Sequence, residues 1–470
     1  MPRFYQYERA PINLNMSKIV KLKKGFDINL AGKAAKKIAT TPISETFAIK
    51  PTDFVGLERP KLLVSEGDNV KAGTPIIYNK FQENVMICSP VSGEVIEVKR
   101  GAKRKILEIK ILADKEIEYE QFESYNISSV KNLSRDDAQK QMLKGGVWPH
   151  IIQRPYGVIA NEEDTPKAIY ISTFDTNPLA ADWGYTLKED GEAFKMGLDV
   201  LRKFTKGLIH LNQDLNGEVS SVFSNVTEIQ LNKFSGAHPA GNVGIQIHHI
   251  DPIAKGDLVW TVSPFGVAQI GKLFLNGKYD ASRLVAVAGS EVKDPQYHKT
   301  YTGACINRLI ESNLVQDHVR CISGNVLTGE CIEKDGYLGF YDNLLSVIPE
   351  GDQQEFLGWI KPKKDVLSFH KAFGLFSFLN GKDKEYKLSS NTNGEPRAFV
   401  QTGVFEKVLP MDIYPVYLLK AIMAEDYDSM EALGIFEVIE EDLALCEYVD
   451  VSKHEVQRIV RNGIELMQNG

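Results

Sequence analysis

Several groups of residues have the type and spacing of redox, metal or phosphate chemistry. The run C-x2-C-x2-C-x3-C-P holds an iron–sulfur cluster through four thiolates. Residues 399–410, FVQTGVFEKVLP, keep that spacing with Pro410 as anchor, and place Phe399, Thr402, Phe405 and Leu409 at the ligand positions. A second frame follows, with Glu440, Leu443, Cys446 and Asp450 in the corresponding places. A single thiolate, that of Cys446, cannot assemble a cluster, because iron demands a full set of soft ligands. Phe399, Phe405 and Leu409 would instead fill with carbon the volume that inorganic sulfur takes elsewhere.

Cys88, Cys305, Cys321, Cys331 and Cys446 are scattered without CxxC spacing, which favours free thiols over a disulfide framework or a zinc knuckle. His248 and His249 are adjacent. Read as part of a strand they point to opposite faces and cannot readily share an ion, so no metal is assigned. LKGGVWPHIIQRP (143–155) has the small residues, Gly145 and Gly146, that let backbone N–H groups approach a phosphate. Trp148 beside that cradle would obstruct one. His238 in AHPAG, between Gly236 and Gly241, reads first as a turn beside a sheet.

The elements that must position these residues show in the periodicity. Around 61–111 the chain reads as short strands and turns, with Leu107, Ile109 and Ile111 alternating with Glu108 and Lys110. AIYIST (168–173), LVAVAG (284–289) and VRCIS (319–323) read as strands. Phe194, Leu198 and Leu201 mark one face of a helix, and ACINRLIES (304–312) reads as another. The final stretch is helical, with Val456, Ile459, Val460 and Ile464 on one side. Lys361–Lys364 and 391–396 read as connections. At 470 residues several domains are expected, and a net charge of -7 without a basic block argues against nucleic acid. No apolar run approaches the ~18–20 residues of a membrane helix, and residues 1–15 read as an extension without a secretory signal.

G-D-x-V-x-x-G followed by P-x-x-G-x-V, from Gly67 to Val95, resembles the biotinyl/lipoyl barrel-sandwich hybrid. Counting back from Pro90 puts Gln82 at the carrier position, with Lys80 two places off, so no modified lysine is expected. The 143–155 loop resembles the glycine-rich flavin loop of the NADH-binding subunit of complex I and of its counterpart in the RNF complex. In place of their second loop, N-x-x-E-x-E-P, this chain has Ser172, Asp175 and Asn177 where the Asn and both acidic residues stand, and only Pro178 matches. In this order, barrel, flavin-subunit-like domain and empty ferredoxin frame resemble the NqrA family, one of the subunit types of the Na+-translocating NADH:quinone reductase. KKGFDINLAGK (23–33), FDTNPLAADW (174–183), FSGAHPAGNVGIQIH (234–248) and VLPMDIYP (408–415) add to the likeness. Asp450-Val451 departs from the Cys-Pro that many members carry there.

The resemblance implies a multidomain α/β chain. Its parts are an extension (1–15), a biotinyl/lipoyl-like barrel-sandwich domain (16–125) and a Rossmann-like domain related to flavin-binding subunits (126–282). A β-grasp SLBB-like domain (283–350), a connecting segment (351–395) and a helical domain with a degenerate iron–sulfur frame (396–470) follow. It further implies a peripheral subunit on the cytoplasmic side of the bacterial inner membrane, in a six-subunit complex that passes electrons from NADH to ubiquinone and exports Na+. No cofactor is expected in this chain; flavins and iron–sulfur centres belong to other subunits, and a membrane-embedded subunit is the expected neighbour. The isolated chain is not expected to be catalytic. The competing reading is a flavin-dependent NADH dehydrogenase subunit of the RNF or complex I type. A quinone head group needs a flat apolar wall and donors for its carbonyl oxygens. Trp148, His150 and Arg154 are candidates for that contact, with His238 second to them; the structural alternative is that Trp148 fills the vacated flavin pocket and Arg154 makes an ion pair.

Overall fold

The computed structural model describes residues 17–224, 226–352, 356–358, 365–370, 380–381, 383–399 and 403–469. The 1–15 extension, the Lys361–Lys364 connection and Thr402 lie outside the described residues.

The centre is a seven-stranded sheet in the order Lys18–Lys21, Gln230–Ser235, Ile209–Asp214, Ile169–Ser172, Val259–Val262, Ile151–Arg154 and Val158–Ile159. The first five strands are parallel and the last two antiparallel. Ile169 faces Ile209 on one side and Trp260 on the other. The central strands Ile169–Ser172 and Val259–Val262 are almost wholly buried, which is why they read as near-continuous apolar runs rather than alternating ones. The chain moves outward from Ile169–Ser172 and then crosses back to Val259–Val262, so the strand order reverses between these two. Crevices at such reversals are where open α/β sheets bind ligands.

On one face the helices Gly191–Leu201 and Pro264–Asn276 pack backbone to backbone. A Cβ on Gly271 would sit 1.7 Å from the Ala193 carbonyl oxygen, so only glycine allows that approach. On the other face lies Val243–Ile250, which buries Gln246 against the sheet.

Two small sheets form the barrel: Thr46–Ile49, Ile106–Ala113, Gly93–Arg100 and Asn69–Val70 in one, and Pro60–Leu62, Pro75–Asn79 and Gln82–Cys88 in the other. Phe47, Ile49, Ile76, Ile87, Val95 and Ile109 fill the space between them. Within the segment expected as the barrel domain, 16–125, two strands pair outside the barrel. Lys18–Lys21 adds to the central sheet, and Ala35–Ile38 pairs in parallel with Gln296–Tyr301. The N-terminal segment therefore stitches two other sheets together before the barrel begins. The hairpin count also shifts: Asn79 pairs with Gln82, so Lys80 and Phe81 form the tip and both are exposed.

The third sheet runs Glu330–Ile332, Val319–Ser323, Leu344–Pro349, Ser282–Ala288, Gln296–Tyr301 and Ala35–Ile38. The helix expected at 304–312 is a single turn, Asn307–Ile310. Its flanks are taken by bridges from Ala304 to Phe47, Cys305 to Tyr337 and Leu314 to Val292, and backbone bonded that way cannot continue a helix.

The C-terminal helices are Phe405–Val408, Pro415–Met423, Tyr427–Ala432, Ala444–Val449 and Val456–Asn469. Phe405, Leu409, Leu418, Ile422, Leu443, Cys446 and Val460 share one core. Gly463 lets Ile422 come close; a Cβ there would lie 2.7 Å from that side chain.

Candidate functional site

The glycine loop follows the Arg135–Lys144 helix, whose N-cap is Ser134, accepting from the Asp137 amide. Gly145 caps the C-terminus, and Gly146 turns with φ 72°. What approaches Gly146 is the barrel: a Cβ there would stand 2.6 Å from Cys88 Sγ. Burial pushes the Cys88 thiol above its ordinary pKa, so it is an apolar filler. Trp148 is fully buried, with its ring against Phe204 and Trp260, and its Nε1 donates to the Ala160 carbonyl at 2.8 Å. The chain's own Cys88 side chain thus stands against Gly146.

His150 is also buried and stacks on Phe340 at 4.9 Å, with Phe265 at its edge. Desolvation, helped by the nearby Arg283 charge, pushes its pKa down to about 3, so the ring is neutral. The Tyr341 hydroxyl donates to the Pro149 carbonyl at 2.7 Å, and Arg283 Nη1 donates to the Phe340 carbonyl at 2.9 Å. The turn Trp148–His150 is thus pinned by the third sheet's Phe340-Tyr341.

Arg154 ends its strand and points to the helical domain. Nη1 donates to Asp442 Oδ2 at 2.7 Å, and Nη2 to Glu441 Oε1 at 2.6 Å. Arg154 is 1% exposed and the Asp442 side chain 0%, while Glu441 keeps 41%. The Arg154–Asp442 pair is buried and the Arg154–Glu441 pair lies at its rim. Arg154 Nε and Asp442 Oδ1 have no partner among the described residues. Gly244 admits this carboxylate to the start of the Val243–Ile250 helix, since a Cβ would lie 2.3 Å from Asp442 Oδ2. Asn242 Nδ2 donates to the Glu441 carbonyl at 3.0 Å.

The second loop leaves the C-terminal end of Ile169–Ser172. Asp175 Oδ1 accepts from both the amide and the side chain of Asn177, each at 2.8 Å, so the loop's polar groups satisfy one another. Burial raises the Asp175 pKa. Ser172 Oγ accepts from Gln246 Nε2, which also reaches the Ala240 carbonyl, and Asn212 and Asn232 extend this buried network along the sheet. His238 sits beside it: Nδ1 is 3.2 Å from Thr176 Oγ1, and its amide donates to Asp27. Desolvation lowers its pKa to about 4. His238 Nε2 has no partner among the described residues.

The four candidates therefore occupy four environments. Sequence reasoning missed Glu441 and Asp442, which lie between the frame positions Glu440 and Leu443, because nothing local marks an acid whose partner is 288 residues away. In the ferredoxin frame, Phe405 and Leu409 are 0% and 1% exposed, and Phe399 packs on His454 at 4.4 Å. Asp450, at a cysteine position, accepts from the amides of Ser452 and His454 and pairs with His454 Nδ1 at 2.7 Å. The expectation that His248 and His249 lie on a strand is corrected, because they form the last turn of the Val243–Ile250 helix. His248 Nδ1 bonds Glu437 at 2.6 Å and its Nε2 accepts from the Asp412 amide, while His249 Nε2 bonds the Pro410 carbonyl. Both act as clasps to the helical domain. Among the described residues no three His, Cys, Asp or Glu side chains are arranged to hold a metal, and no helix is long and apolar enough to cross a membrane.

A barrel, a seven-stranded α/β sheet and a further mixed sheet define a multidomain α/β chain. Family models match in that order: the NqrA N-terminal barrel-sandwich hybrid domain over 20–114, the NqrA second alpha/beta domain over 133–279, and the NQRA C-terminal domain over 284–334. The chain is 36% identical over 451 residues to the NqrA subunit of the Na(+)-translocating NADH-quinone reductase of Neisseria meningitidis serogroup A, covering 96% of this chain and 99% of the relative. It is 35% identical to that of Rhodopirellula baltica, covering 96% and 98%, and 37% identical to that of Photorhabdus laumondii, covering 94% and 98%. The chain belongs to the NqrA family of the Na+-translocating NADH-quinone reductases.

Proposed function

We propose that this chain acts as a cofactor-free peripheral subunit of a six-subunit Na+-translocating NADH:ubiquinone oxidoreductase, on the cytoplasmic side of the bacterial inner membrane. The carrying observation is that both cofactor frames are filled by the chain itself. Cys88 and Trp148 take the flavin cradle, and Phe405, Leu409 and Cys446 fill the cluster frames. Flavins and iron–sulfur centres then belong to other subunits. On this reading the central sheet is a Rossmann-like domain, the sheet of 283–350 is β-grasp, and the 396–470 helices descend from a ferredoxin-type domain. The competing flavin-dependent NADH dehydrogenase subunit would need the phosphate cradle open, whereas Cys88 stands against Gly146.

Three of the four quinone candidates are committed elsewhere: Trp148 and His150 to packing, and Arg154 to its carboxylates. The contact is proposed at His238, whose Nε2 is unpartnered at the end of the parallel strands. Two measurements test the reading. Acid-extracted flavin and iron should be absent from the purified chain yet present in the assembled complex; stoichiometric flavin on the chain alone overturns it. In the assembled complex, His238→Ala should raise the KM for ubiquinone while leaving NADH oxidation by an artificial acceptor unchanged. An unchanged quinone KM removes His238.

A further inference from the structure

The Pro415–Met423 helix buries Val416, Leu418, Leu419 and Ile422 in the helical core and turns another face outward. Along that face and its flanking turns, Tyr414, Tyr417, Met423 and Tyr427 are 64%, 60%, 57% and 43% exposed. Elsewhere among the described residues large exposed apolar side chains are spread more thinly along the chain. Lys420, the cation of this face, is folded onto the Phe399 ring, 5.7 Å from its centroid. The stripe runs into a shallow groove of about 450 Å³ against the end of the Val456–Asn469 helix, lined by Glu425, Tyr427, Asn462, Glu465, Leu466 and Asn469. The Glu425 and Glu465 carboxylates have no ion pair or hydrogen bond among the described residues, and Asp428, also exposed, has none either.

We propose that this face is an interaction surface that takes a Lys- or Arg-bearing amphipathic segment of another subunit, its apolar residues on Tyr417 and Met423 and its cation in the Glu425–Glu465 groove. Tyrosine and methionine at this density mark interface cores rather than ordinary surface. A cation on a long aliphatic stem matches the groove in both respects, since Leu466 and Tyr427 would flank the stem and two unpaired carboxylates the head. An acidic partner, or an anionic lipid surface, would meet like charge there. The proposal rests on the reading of the chain as one subunit of a larger complex.

The test uses the complex assembled with tagged other subunits. The chain is stripped off with salt and added back, and reassociation is measured for the wild type, Tyr417→Ser/Met423→Ser, Glu425→Lys/Glu465→Lys, and Glu83→Lys on the barrel as control. The two double variants should reassociate at least roughly tenfold more weakly, and the charge-reversed one should also lose the salt dependence of the wild type. Glu83→Lys and the isolated chains' melting temperatures should stay as in the wild type. A photo-crosslinker at Tyr417 should yield an adduct with another subunit. If the wild type reassociates and both double variants match it, the docking face is overturned while the subunit reading stands. If the wild type itself never reassociates, the subunit reading fails first. An adduct only with a second copy of this chain, or equal retention on anionic vesicles without other subunits, also overturns the proposal.

Discussion

Replacing Arg154 by methionine keeps most of the side chain's volume and removes its charge. The Asp442 carboxylate, 0% exposed, then loses its cation at 2.7 Å and keeps, among the described residues, the Ile439 amide at 3.0 Å. Leaving a buried charge uncompensated costs about 3–5 kcal/mol. Glu441 adds little to this, because at 41% exposure it resolvates, and rim pairs contribute about 0–1 kcal/mol. Asp442→Leu leaves Arg154 with only the rim carboxylate of Glu441 at 2.6 Å, so it should cost somewhat less than Arg154→Met, plus about 1 kcal/mol for the lost cap on the Ile439 amide. The double variant strands neither charge, so it should cost much less than the sum of the two, with a coupling of about 3 kcal/mol. Because the pair joins the central sheet to the helical domain, the loss should appear first as detachment of that domain. Urea unfolding, followed together with hydrogen exchange over 439–449, reads both. An Arg154→Met chain within about 1 kcal/mol of the wild type, or additive single costs, would refute the argument that this contact is a desolvated interdomain pair.

Phe405→Ala should destabilise the helical domain by about 3–5 kcal/mol in thermal or denaturant unfolding, since Phe405 is 0% exposed; a near-neutral result would mean the frame is not packed. Gly146→Ala combines a left-handed φ of 72° with a Cβ 2.6 Å from Cys88 Sγ. It should lower the melting temperature, and Cys88→Ala in the same chain should restore part of the loss, which equal melting of the single and double variants would contradict. Acid should destabilise the fold through its buried histidines. The His150 pKa is about 3 in the folded chain against 6.5 when solvated, so the unfolded chain takes up a proton that the folded one refuses. That contribution is intact above pH 6.5 and is lost as the pH falls toward 3. His150→Phe should flatten the pH dependence of unfolding between pH 6 and 4 by roughly 1 kcal/mol per pH unit, and an unchanged slope would place the ring in solvent.

The sequence by itself determined what depends on local spacing and side-chain volume. Phe405 and Leu409 at thiolate positions read as packing, and an indole beside two glycines reads as an obstacle to phosphate. The strands at 169–172, 282–288 and 319–323 follow from apolar runs between turns, and the terminal helix follows from its periodicity. Tertiary structure decided everything that depends on which segment returns to meet which. Lys18–Lys21 and Ala35–Ile38 left the barrel because edges of two other sheets were open to them. The 304–312 run lost most of its helix to bridges, and the hairpin tip moved to Lys80 because register is set across strands rather than along one. The carboxylate partners of Arg154 lie at the far end of the chain, and His248 and His249 turned from an ion-site question into two clasps. Periodicity records how a segment is buried; the identity of what buries it is a property of the whole fold.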